Sequence, residues 1–254
     1  MSDVVHTEIG EIPSYWSIKH IEDLIIDKGI SVGVMYPGKH DFKGIPLIKA
    51  GDVREGYINP NIDFFISEEV NQKYKRTILE GGELLVVLVG DPGLSAVVPS
   101  SMKGWNAARA IGVLKLIDQE EGDYISFALR SRNVKHVLKS FCNTTVQATL
   151  NLKELKQVPI PWPKKEEREQ ITKLLIGISN KIATIEEQNQ TLEELAQTLF
   201  KRWFVEFEFT NENGQPYKSS GGKMVESELG EIPEGWRVGE VSDFVKHSTK
   251  SVSP

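Results

Sequence analysis

TEIGEIPSYWSIKHIEDL (residues 7–24) returns as SELGEIPEGWRVGEVSDF (residues 227–244), 220 positions further along. The two stretches share Gly10/Gly230, Glu11/Glu231, Ile12/Ile232, Pro13/Pro233, Trp16/Trp236 and Asp23/Asp243, and both keep apolar residues at Ile18/Val238 and Ile21/Val241. A period this long is not a solenoid repeat, because a unit of that length can bury its own core. The chain therefore reads as one whole unit followed by the opening of a second, a tandem duplication cut short at Pro254. Trp16 and Trp236, at matching places, read as packing anchors.

Between the copies, residues 1–160 have the mixed texture of an α/β (α+β) domain. Gly and Pro punctuation recurs at YPGK (36–39), KAGDVREGY (49–57), EGGE (80–83) and VGDPG (89–93). Strands are predicted over IPLIKA (45–50), LLVVLV (84–89), SAVVP (95–99) and AIGVLKLI (110–117). The second of these is a continuous apolar run suited to a strand covered on both faces, and the third is its hairpin partner. A helix is predicted over residues 123–140, with Ile125, Phe127, Leu129, Val134, Val137 and Leu138 on its apolar face. VPIPWP (158–163) carries three prolines in five positions and reads as a stiff extended link.

Beyond that link lies the longest helical signal in the chain, over about residues 164–209, with no proline and only Gly177 inside. Apolar residues fall at Ile171, Leu175, Ile178, Ile182, Ile185, Leu192, Ala196, Leu199 and Trp203 in alternating steps of three and four, the spacing of a coiled-coil seam. Asn189 takes the one polar place in it, where it either fixes register and oligomer state or marks a local break. A helix of about 45 residues is about 68 Å long, more than a domain of this size uses internally. The resulting division is a globular domain at 1–160, a helix at 161–210, a polar Gly/Ser-rich linker at 211–226 and the truncated repeat at 227–254.

With 254 residues, 39% of them hydrophobic and 26% charged, the composition suits one large domain with an appended element. No apolar run approaches a membrane span and the N-terminus has no signal-like segment, so the expectation is a soluble cytoplasmic protein without membrane contact. The single cysteine, Cys142, can form no intramolecular disulfide and no multi-cysteine metal site, and reads as a buried small side chain. A formal charge of −6 speaks against a nucleic-acid partner at first. Its distribution weakens that objection. Residues 124–153 hold Arg130, Arg132, Lys135, Lys139, Lys153 and His136 with no Asp or Glu, which suits either a phosphate-facing surface or a solvated helix face.

Several catalytic readings fail on the residues. There is no G-x-x-x-x-G-K-[ST] phosphate loop, the VGDPG glycines lack a dinucleotide context, and no Asn-Pro-Pro-aromatic or Asp-Pro-Pro-aromatic methyltransferase sequence occurs. Glu154-Leu155-Lys156 matches half of a common nuclease metal site, but no acidic partner motif precedes it convincingly. The five histidines are scattered, so no metal site, catalytic residue or cofactor bound by this chain is expected.

The recurring GEIPSYW and GEIPEGW, the segments IKAGDVREGYI and GELLVVLVGDPGLSAVVP, and SFCNTTVQATLNLKELKQVPIPWPKKEEREQI occur in an order that resembles the specificity subunit of Type I restriction-modification systems. The resemblance covers essentially the whole chain. It implies a DNA-reading scaffold without catalytic residues, in which each target recognition domain is followed by a long helix and two such helices pair antiparallel as a spacer. Modification subunits that methylate adenine with S-adenosylmethionine dock on that scaffold, and restriction subunits can join them. This chain departs from the pattern in having one recognition domain, one helix and the start of a second repeat. A second copy of the chain can then supply the missing helix, giving a homodimer that reads an interrupted palindrome.

Candidate DNA contacts are Tyr36, Lys39 and Lys43 in loop 33–43, Lys103, Asn106 and Arg109 in loop 90–109, Arg130, Arg132 and Lys135 from the basic stretch, and Gln147, whose amide can pair with adenine. Any one of them alone reads as an ordinary solvated loop residue, and it is the set that points to DNA. Two other functions stay open. One is an assembly or decoy module that binds the modification subunit through its helix without reading DNA. The other, a standalone nuclease or methyltransferase, requires a metal or S-adenosylmethionine site that the residues do not supply.

Overall fold

The computed structural model describes residues 3–144 and 148–243. The chain opens with β1 (Val4–Thr7), β2 (Gly10–Pro13), β3 (Ser17–His20), the single turn α1 (Ile21–Leu24) and β4 (Ile25–Val32). Next come β5 (Ile45–Ile48), β6 (Phe65–Ile66), α2 (Glu68–Lys73), β7 (Leu84–Val87), β8 (Ser95–Val97), β9 (Asn106–Ala107) and β10 (Ile111–Leu116). Helices α3 (Gly122–Arg130) and α4 (Arg132–Ser140), short strands β11 (Asn143–Thr144) and β12 (Ala148–Thr149), α5 (Leu152–Lys156) and β13 (Pro159–Trp162) close the domain. The long α6 (Lys165–Phe200) follows, and a last hairpin of β14 (Met224–Ser227) and β15 (Gly230–Pro233). Contacts divide the chain into two compact units, Met1–Ile178 and Ser179–Pro254.

In the first unit an antiparallel sheet of order β4-β10-β7-β8 is the centre, flanked by a small sheet of order β6-β5-β9 in which β5 and β9 run parallel. The expected two-faced strand is β7. Leu84 and Val86 enter one core with Leu114, Leu116, Ile125, Leu129, Val134 and Leu138, while Leu85 and Val87 enter another with Ile48, Val98, Ile111 and Val113. Period-2 alternation in an all-apolar run thus builds a core on each side of the sheet. Trp16 packs against the first core. Cys142 is half-buried rather than buried, with its thiol 3.4 Å from the Leu138 carbonyl.

Three expectations change. The helix anticipated over 123–140 is two helices, because Ser131 adopts an extended backbone (φ −60°, ψ 146°) between α3 and α4. The break lets α3 lay Ile125 and Leu129, and α4 lay Val134 and Leu138, on one core from two directions. The proline-rich link is a paired strand. β13 runs antiparallel to β3 with Pro159 opposite His20 and Pro161 opposite Ile18, and the Ile21 N–H donates to the Val158 carbonyl at 3.2 Å. Only alternate residues of a strand bond to a given neighbour, so prolines two apart fall at positions where no N–H is needed. The long helix ends sooner than 209. Its α-helical bonding stops at Phe200, a π turn covers Lys201–Val205, and Phe207 has a positive φ of 58°.

In the second unit, Trp236 sits among Phe204, Phe207 and Phe209, stacked on Phe209 with ring centroids 5.6 Å apart, and Tyr217 stacks on Phe209 at 4.7 Å. An aromatic cluster of this kind supplies a small core that a hairpin and a helix end could not form from aliphatic residues alone.

Candidate nucleic-acid interface

The loop at 33–43 leaves β4 where Val34 bridges Ala108, with the Val34 N–H donating to the Ala107 carbonyl at 2.6 Å. This bridge places the start of that loop beside Arg109. Tyr36 is 76% exposed, and its backbone N–H donates to the Tyr74 hydroxyl at 3.2 Å. Lys39, Lys43 and Arg109 are exposed, and among the described residues none of the three lies within ion-pair distance of a carboxylate. Lys103 is also exposed but is paired with Glu80 at 3.1 Å.

Asn106 is a correction. It is fully buried in β9, where its side-chain amide donates to Asn71 Oδ1 at 2.8 Å and its Oδ1 accepts the Ala107 N–H at 2.9 Å. With donor and acceptor both used internally, it has nothing left to offer a base edge and instead ties β9 to α2. Gln147 lies outside the described residues.

The basic stretch falls mainly on α4. Arg132, His136 and Lys139 are exposed; Lys135 is half-buried and 3.9 Å from Asp91. Arg132, Lys135, His136 and Lys139 line one cleft together with Glu8 and Asn133. Arg130 belongs to a different setting. Its guanidinium lies over the Phe127 ring at 4.5 Å, its Nε donates to the Ser126 carbonyl, and burial holds its pKa below the usual value against the opposing pull of Glu55 and Asp123. It packs and positions, while α4 presents the free charge.

Residues that sequence reasoning passed over are His40 and Phe42. Phe42 is 89% exposed, yet its ring stands edge-on against His40 with centroids 4.3 Å apart. The only signal was a lone aromatic in a polar turn, GKHDFKG (38–44).

Where the domain meets α6, Arg168 is buried and clamped. Its Nε donates to Glu121 Oε2 at 2.9 Å, a second nitrogen pairs with Glu121 Oε1, and its plane covers Trp162 at 4.1 Å. Hydrogen bonding to Glu121 holds its pKa above the ordinary guanidinium value. Tyr124 donates to the Pro161 carbonyl at 2.6 Å beside the same Trp162, and burial raises its phenol well above the usual range. This clamp ties the first turn of α6 to the end of β13.

The seam residues divide accordingly. Ile171 packs against the domain core, so it is not free to join a helix pair, and Leu175 is half-buried. Ile178, Ile182, Ile185, Leu192, Leu199 and Trp203 are exposed, Leu192 by 61%, and Asn189 is exposed in the middle of them. Among the described residues no cluster of His, Cys, Asp or Glu could hold a metal ion, and no helix is long and apolar enough to cross a membrane.

Residues 13–194 match the family model described as the Type I restriction modification DNA specificity domain. The chain belongs to that family. It is 27% identical over 251 residues to the Type I restriction enzyme MjaIX specificity subunit of Methanocaldococcus jannaschii, covering 98% of this chain and 56% of that protein. With the Escherichia coli EcoBI specificity subunit it shares 29% identity over 182 residues, 70% of this chain and 38% of the relative. The chain thus spans about half the length of the curated relatives it matches. Among solved structures, one described for complex assembly and conformational transition of the type I R-M system aligns with a TM-score of 0.53 at 19% identity, over 74% of this chain and 44% of that one. The HsdS subunit of Thermoanaerobacter tengcongensis aligns with a TM-score of 0.50 at 18% identity, over 79% and 47% respectively. Both likenesses concern the fold: a mixed α/β domain followed by a long helix.

Proposed function

We propose that this chain is a DNA-reading subunit of a Type I restriction-modification complex that carries no catalysis of its own and works as a homodimer. Each recognition domain reads half of a split site, and the paired helices hold the two halves apart. Modification subunits, carrying S-adenosylmethionine, dock on the scaffold, and restriction subunits can join it.

The observation that carries this reading is the uncovered stripe on α6. Isoleucine and leucine side chains left in water at Ile182, Ile185, Leu192 and Leu199 favour a partner, each worth about 1.5–3 kcal/mol on full burial. The stripe is also self-complementary. Ile182 and Ala196 are each seven residues from Asn189, and Ile185 and Leu192 are four and three away. In an antiparallel pair with its twofold axis at Asn189, Ile182 lies level with Ala196 of the second copy, Ile185 and Leu192 come within one residue of level with each other, and the two Asn189 amides lie opposite and can satisfy each other. A polar pair at that one place rewards this register over its neighbours. Free cations on α4 and in the two loops suit the phosphate contacts such a reader needs.

The test is a methylome. The chain is co-expressed with its modification subunit in a host lacking such systems, and methyladenine is mapped across the genome. Methylation at an interrupted palindrome is the expected result. Stable co-purification without new methylation would replace the proposal with an assembly or decoy role.

A further inference from the structure

We infer that His40 and Phe42 act as one unit that reads a thymine. The inference rests on the DNA-reading function proposed above and adds to it the residues and the base.

Loop 33–43 is held tightly at its tip. The Phe65 N–H of β6 donates to His40 Nδ1 at 3.2 Å, the Asp41 N–H donates to the Phe65 carbonyl at 3.0 Å, and the Gly44 N–H returns to the Asp41 carbonyl at 2.8 Å. Asp41 Oδ1 accepts the Lys43 N–H at 3.1 Å, so that carboxylate is turned into the loop's own backbone. Gly44 is required here, since a Cβ would lie 2.1 Å from the Ile66 carbonyl oxygen. The His40 ring is backed by Phe64 and Phe65, with centroids at 5.4 and 5.7 Å.

Two consequences follow for what the tip can recognise. An Nδ1 that accepts a backbone N–H carries no proton, so the neutral imidazole holds its proton on Nε2 as a donor. Among the described residues that Nε2 has no hydrogen-bond partner, and it is not among the buried side-chain atoms lacking one. Against this ring, at 88°, stands Phe42, the most exposed of the large hydrophobic side chains among the described residues. A fixed donor that is not buried therefore stands beside an exposed apolar ring, with the exposed Lys39 and Lys43 flanking the pair in sequence to meet phosphates.

Of the four base pairs seen from the major groove, thymine offers the complement, with the O4 acceptor beside the C5 methyl. Cytosine places an amino donor where O4 stands and would meet the His40 donor with another donor. Guanine offers acceptors without a methyl.

The test uses the complex of this chain with its modification subunit and the target defined by the methylome. Binding is measured on duplexes in which each thymine of the half-site is replaced in turn by deoxyuridine, which loses only the methyl, or by cytosine with its complement. For the wild type, uracil at one position is expected to weaken binding about fourfold, the weight of one methyl taken out of water. In Phe42→Ala that penalty disappears. His40→Asn, whose amide oxygen can still accept the Phe65 N–H, should keep the loop and lose rejection of cytosine at the same position. A uracil penalty that persists in Phe42→Ala, a target in which no thymine is sensitive to its methyl, or an unchanged cytosine rejection in His40→Asn overturns the inference. Failure of the wild type to methylate any defined sequence would instead remove the DNA-reading proposal itself, a distinct result obtained before any variant is made.

Discussion

Residues 4–13 and 224–233 build the same hairpin, and the segments that follow them part company. In the first copy Thr7 Oγ1 donates to the Gly10 carbonyl at 2.7 Å and accepts the Ile9 N–H at 3.3 Å; in the second, Ser227 Oγ does the same with Gly230 and Leu229 at 2.6 and 3.2 Å. Gly10 and Gly230 have φ of 91° and 93°, and the strand registers correspond residue for residue. After the tryptophan the likeness ends. Residues 17–20 form β3 and pair with β13, whereas residues 237–240 form no strand. Ile21 is fully buried; its counterpart Val241 is 78% exposed. The hairpin is specified by its own hydroxyl and glycine, while the following strand exists only where a distant segment meets it.

The widest separation between the copies is expected from a charge placed at matching positions. Ile21→Asp buries an unpaired carboxylate in the main core and should cost more than about 4 kcal/mol, while Val241→Asp stays within about 0.5 kcal/mol. Urea unfolding followed by circular dichroism reads both. Next in size is Glu121→Ala, which leaves the Arg168 charge buried without its partner beside the strand that β3 needs. A loss of about 3 kcal/mol is expected, and a midpoint unchanged from wild type would show that the clamp does not hold β13. The smallest effects should be equal between copies. Thr7→Val and Ser227→Val each remove the same two hydrogen bonds and should raise local opening of their own hairpin by about 1 kcal/mol, measured by amide exchange at Ile9 and Leu229. Unequal losses would mean that the hairpin depends on tertiary contacts after all.

Much of the fold was legible because it is written in local patterns. The run LLVVLV suits a strand covered on both sides, and SAVVP follows it at hairpin distance. The break at Ser131 was hidden because helical spacing continues on both sides of it and nothing in SRNVK forbids a helix. Pairing of β13 was hidden for a different reason. Three prolines argue against a strand unless every second residue faces away from the strand it pairs with, and that strand, β3, lies near the N-terminus. Exposed cations in the candidate interface could be guessed from charge. Burial of Asn106 could not, since an amide suits a base edge and a buried amide partner equally well. Ile171 continued the seam in spacing but belongs to the core, because α6 begins against the domain before it becomes uncovered.

Sedimentation equilibrium of the chain by itself tests most directly the claim that the α6 stripe joins two copies. A mass twice the 28.5 kDa chain, falling to the single-chain value in Ile182→Glu/Leu192→Glu, is the result predicted. A wild-type monomer at micromolar concentration, or a dimer untouched by both charges, would contradict it.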